Sequence, residues 1–77
     1  PAQSIDKDEL KAVLEKLLTA AENMDAAAAE EIISYLRQKA LPDDIKQTLE
    51  RSFDYISGFD FDEAAELIRS ILSQSAQ

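Results

Sequence analysis

Cysteine, histidine and tryptophan are all missing from these 77 residues, and glycine occurs once, at Gly58. Without cysteine there are no disulfide staples and no thiolate metal sites, on which many short domains rely. Without histidine the commonest general base and the commonest transition-metal ligand are gone. A single glycine cannot build a glycine-rich phosphate loop. Positive charge is scarce too: 8 Lys and Arg stand against 16 Asp and Glu, a net charge of -8. No basic footprint for nucleic acid is visible, and an acidic surface repels phosphate and anionic lipid alike. No apolar run approaches the roughly 18 residues of a membrane span. There is no signal-peptide pattern, and the cysteine-free composition fits a cytoplasmic protein. The chain opens Pro1-Ala2-Gln3 without an initiator methionine, which reads either as processed ends or, the favoured expectation, as a domain cut from a longer protein.

What the chain does have is helical periodicity. Leu10, Val13, Leu14, Leu17, Leu18 and Ala21 follow the i, i+3, i+4, i+7 spacing of a buried stripe. Ala29, Ile32, Ile33, Leu36 and Ala40 repeat it. Ile45, Leu49, Phe53 and Ile56 form a third stripe with Thr48 and Ser52 on its flank, and Ala64, Leu67, Ile68, Ile71 and Leu72 a fourth. No segment sustains period-two alternation. Four helices with short connections predict an all-α fold, an antiparallel up-down-up-down four-helix bundle. It spans residues 6–73, between an N-terminal tail of residues 1–5 and a C-terminal tail of residues 74–77.

The predicted helix ends have mechanisms. Asp6 with Glu9 three residues on reads as a capping box, and Ile5 with Leu10 as a hydrophobic staple. Asp25 caps the second helix. Pro42 suits the first position of the third helix, where a missing N–H is harmless, and Asp43 and Asp44 meet the positive end of its dipole. In "SGFDFDEAAELI", Ser57 to Ile68, Gly58 is the expected left-handed stop of the third helix. Asp60 and Glu63 form the next capping box, and Phe59 and Phe61 are expected to fold onto the core. Ile5 to Leu18 and Phe59 to Leu72 echo one another, as two capping boxes feeding amphipathic helices would.

Chemistry finds little footing. An EF-hand register fails from Asp54, where Ile56 and Gly58 fall at ligand positions, and from Asp60, where Ala64 does. A di-iron bundle needs Glu-x-x-His motifs. Ser34 and Ser57 have no histidine base. The segment "AENMDAAAAEEI" lacks the serine that acyl carrier proteins use for their prosthetic group. The reading is of no catalytic residue, no cofactor and no metal.

The stretch "LPDDIKQTLERSFDYISGFDFDEAAELI", with its Leu-Pro-acid helix start and its "FDFDEA" entrance to the last helix, resembles the C-terminal modules of bacterial hybrid sensor kinases. These look like histidine phosphotransfer (HPt) domains. "LKAVLEKLLTAAENMDAAAAEEIISYL" is similar to their upstream half, so the resemblance runs from about Asp6 to Leu72. It implies that Ser34, in "SYLRQ", stands where the phospho-accepting histidine would, with Arg37 for the usual lysine and Gln38 for the glycine. With no histidine in the chain, phosphotransfer by the family's route is excluded. What the resemblance leaves is a non-catalytic interaction or regulatory module of two-component signalling. It would dock a receiver or kinase domain through a face of Glu30, Ser34, Tyr35 and Arg37, without nucleic acid or membrane insertion. The alternative is a dimerisation or other protein-interaction bundle unrelated to phosphorelay.

Overall fold

A computed structural model describes residues 3–75 of the chain. Its four helices are α1 (Lys7–Glu22), α2 (Ala26–Arg37), α3 (Asp43–Ser57) and α4 (Phe61–Ser75), and no strand forms among the described residues. The all-α bundle expected from the periodicity is the fold. The predicted tail at residues 74–77 begins inside α4, whose helix continues through Ser75; Pro1, Ala2, Ala76 and Gln77 lie outside the described residues.

Two of the helix starts have the expected chemistry. Asp6 accepts from the Glu9 N–H at 2.7 Å, and Asp25 accepts from the Ala28 N–H at 3.1 Å. Each carboxylate satisfies a first-turn donor that has no partner inside its helix. Ile5 is half-buried beside Leu10, as a staple requires.

The helices close a ring, α1 on α2, α2 on α3, α3 on α4 and α4 on α1. Leu14 and Leu17, Ile33 and Leu36, Ile56, and Ile68 bring fully buried side chains from each helix in turn. Each such side chain contributes about 1.5–3 kcal/mol relative to exposure. Contacts between helix ends fit alternating chain direction. Tyr35, late in α2, donates to Glu9, early in α1. Glu22, at the end of α1, lies against the first turn of α4. Ile5 and Leu10 lie with Ile45 at the start of α3 and Gln74 near the end of α4.

An isolated bridge straps the N-terminal segment to the α2–α3 connection. The Gln3 N–H donates to the Gln38 carbonyl at 3.1 Å, and the Ala40 N–H to the Gln3 carbonyl at 2.7 Å.

Several local expectations are corrected. Ala40 is exposed, because α2 stops at Arg37 and helical phase no longer applies; Leu41 covers the core there. Ser52 is fully buried in the core, where its hydroxyl donates to the Thr48 carbonyl at 2.9 Å. Pro42 is the N-cap of α3 and not its first helical residue, since its ψ of 148° is extended. Gly58 has φ -93°, and the left-handed residue is Phe59, φ 62°. The Phe59 N–H donates to the Ile56 carbonyl at 3.0 Å and the Asp60 N–H to the Tyr55 carbonyl at 2.8 Å. This is the 5→2 and 6→1 pairing of a Schellman stop with Phe59 one residue past the cap. Its ring is consequently turned out and exposed, while Phe61 is buried. The end of α1 is built alike: Met24, φ 56°, donates to Ala21 at 3.1 Å, and Asp25 to Ala20 at 2.9 Å.

Candidate interaction surface

Burying Ala29, Ile33 and Leu36 turns the opposite side of α2 to solvent. Ser34 is exposed there and Glu30, one turn earlier, is half-buried. On helical phase Arg37 lies about 60° from Ser34 on one side and Tyr35 about 100° on the other. Glu30, Ser34 and Arg37 fall within about 60° of one another and share a stripe, with Arg37 at one edge, and Tyr35 stands beside it on the opposite flank.

Each flanking side chain is engaged with a neighbouring helix. The Tyr35 hydroxyl donates to the Glu9 carboxylate of α1. The Lys39 ammonium lies 4.8 Å from the centre of the Tyr35 ring, and also donates to the Gln3 side-chain oxygen at 2.9 Å. Glu9 therefore turns its carboxylate to Tyr35, although its backbone N–H is the one that Asp6 caps.

Arg37 makes a two-pronged bond to Glu50 of α3, Nε to Oε2 at 2.8 Å and Nη2 to Oε1 at 2.7 Å. Its guanidinium carbon sits 4.5 Å from the centre of the Phe53 ring. The hydrogen bond from Arg37, more than its charge, holds the Glu50 carboxyl below the usual glutamate range. The same bond raises Arg37 above its ordinary value, with the charges of Glu50 and Asp54 adding to it. The planar fork, aromatic contact and carboxylate together fix a side chain that would otherwise sample many rotamers.

The face thus presents a small polar centre, Ser34, between an oriented phenol and an oriented guanidinium. Such a face can bind a partner through hydrogen bonds and aromatic area with little ordering of Tyr35 or Arg37 left to do. Periodicity located α2 and its outward side but missed the supports Glu9, Glu50, Phe53 and Lys39. The first two lie 26 and 13 positions from the residues they hold, a separation that no local pattern encodes.

Among the described residues no helix is long and apolar enough to cross a membrane. Comparisons with protein-family models, curated proteins and solved structures find no match to this chain.

Proposed function

We propose that this chain is a non-catalytic, HPt-like module of bacterial two-component signalling, docking a receiver or kinase domain through the outer face of α2. The observation that supports it most is the state of that face. It is turned to solvent, and Ser34 occupies the place that the resemblance gives to the phospho-accepting histidine. A serine without a histidine base is a poor phosphate acceptor, so the module works by contact. Its setting is cytoplasmic, where receiver and kinase domains act, and a net charge of -8 leaves nucleic acid an unsuitable partner.

A titration of the ¹⁵N-labelled chain with the receiver domain of the protein that carries it tests the reading. Amide shifts centred on Glu30, Ser34, Tyr35 and Arg37, lost in Tyr35→Ala, are expected. Tyr35→Phe removes the bond to Glu9 but keeps the ring, and so separates internal support from partner contact. No shifts at millimolar receiver, or shifts confined to α1 and α4, would remove α2 from the reading.

A further inference from the structure

Met24 and Phe59 are 71% and 73% exposed, the most exposed large apolar side chains among the described residues. Both occupy left-handed backbone, φ 56° and 62°. There a Cβ crowds the following carbonyl oxygen, so glycine or asparagine is the usual occupant. This chain has both residue types one place earlier, Asn23 and Gly58, in ordinary backbone of φ -88° and -93°. Folding is therefore served less well by Met24 and Phe59 than by smaller residues, and neither fills the core. Strained positions of this kind concentrate where a protein makes contacts.

The two side chains lie at the same end of the bundle. They line a single open groove of about 330 Å³, with Phe61 in its wall. The Phe59 and Phe61 rings lie 6.0 Å apart at 54°. Around them stand Glu22, Asp60, Asp62 and Glu63, and no lysine or arginine among the described residues lines the groove. Among the described residues, Glu22 is the one of these carboxylates with a cation, Arg69 at 2.7 Å.

That combination selects its occupant. A second copy docked symmetrically would face this acidic rim with its own, between molecules that each carry -8. A basic segment meets the rim with opposite charge, while methionine and an aromatic ring adapt to an apolar side chain placed between them. We propose that this end of the bundle docks a basic amphipathic segment of a partner protein. One apolar anchor sits between Met24 and Phe59, and lysine or arginine side chains lie against Asp60, Asp62 and Glu63. The surface is separate from the outer face around Tyr35 and Arg37, and does not depend on that face binding a receiver.

The test uses a synthetic amphipathic helix of leucine and lysine, and the same peptide with glutamate for lysine, each titrated into the ¹⁵N-labelled chain. The lysine peptide is expected to shift Met24, Asp25, Phe59 and Phe61 with an affinity that falls as salt rises; the glutamate peptide is not. Met24→Gly and Phe59→Gly should each weaken binding by roughly ten-fold or more, the effect of truncating a central contact residue. Neither should lower Tm, because glycine suits both backbones and no buried side chain is lost. Equal binding by the glycine variants overturns the proposal. So does a shift pattern spread over remote carboxylates such as Asp43 and Asp44, or no shift at millimolar peptide. A concentration-dependent mass in light scattering that disappears in the double variant would assign this end to a second copy, and overturn the basic partner.

Discussion

Gly58 illustrates how one residue of register changes a conclusion. The only glycine, placed just past a periodic segment, is the obvious left-handed stop, yet the turn puts Phe59 there. Where a helix ends is set by the last carbonyls that find partners, and the side-chain pattern does not specify this to a single residue. The consequence is measurable. A Cβ added at Gly58 would meet the Tyr55 and Asp54 carbonyl oxygens at 3.7 and 3.8 Å, ordinary contact distances, and φ -93° suits any residue. Gly58→Ala should therefore stabilise the chain by about 0.4–1 kcal/mol, by narrowing the unfolded ensemble. Urea unfolding measures it. A loss of stability instead would place the left-handed residue at Gly58 in solution.

Helices were legible as elements because their apolar stripes are long and regular; their ends and one polar core position were not. Asp6 and Asp25 could be read because a carboxylate before a helical run has a specific first-turn donor to meet. Ser52 was misplaced on the flank of α3 because residue type suggests exposure, whereas its burial is decided by how closely neighbouring helices approach. Its hydroxyl is satisfied within its own helix, by the Thr48 carbonyl, and Thr48 repeats the arrangement on Asp44 at 2.9 Å. This bond can be removed without orphaning a buried acceptor, since the Thr48 carbonyl keeps its place in the helical ladder. Alanine is nearly the same size and a better helix former. Ser52→Ala is expected to change unfolding free energy by no more than about 0.5 kcal/mol. Leu17→Ala, at an equally buried site, should cost about 2–5 kcal/mol. A serine effect as large as the leucine effect would mean that Ser52 holds something besides its own helix.

For the whole molecule, the ring of helices follows from four amphipathic stripes and short connections, but the pairs that tie neighbouring helices together are choices among 16 acids and 8 bases that sequence spacing leaves open. Arg37–Glu50 is the pair with the clearest electrostatic signature. Its side chains are 43% and 52% exposed, so screening limits its worth to about 1 kcal/mol or less. The sign is set by the lowered Glu50 carboxyl. The pair's contribution is fully present above the unfolded glutamate pKa of about 4.3, and is lost as pH falls through the lower folded value. Arg37 is raised from an already high value and stays charged throughout this range. General carboxylate repulsion also varies with pH, so the pair is isolated by difference. Glu50→Gln should be less stable than the parent by about 0.2–1 kcal/mol at pH 7. In paired urea titrations that gap should close as pH drops below the carboxylate range, and narrow at high salt. A gap unchanged at pH 3 would assign the contribution of Glu50 to the packing of its stem, and leave the guanidinium of Arg37 held mainly by the Phe53 ring.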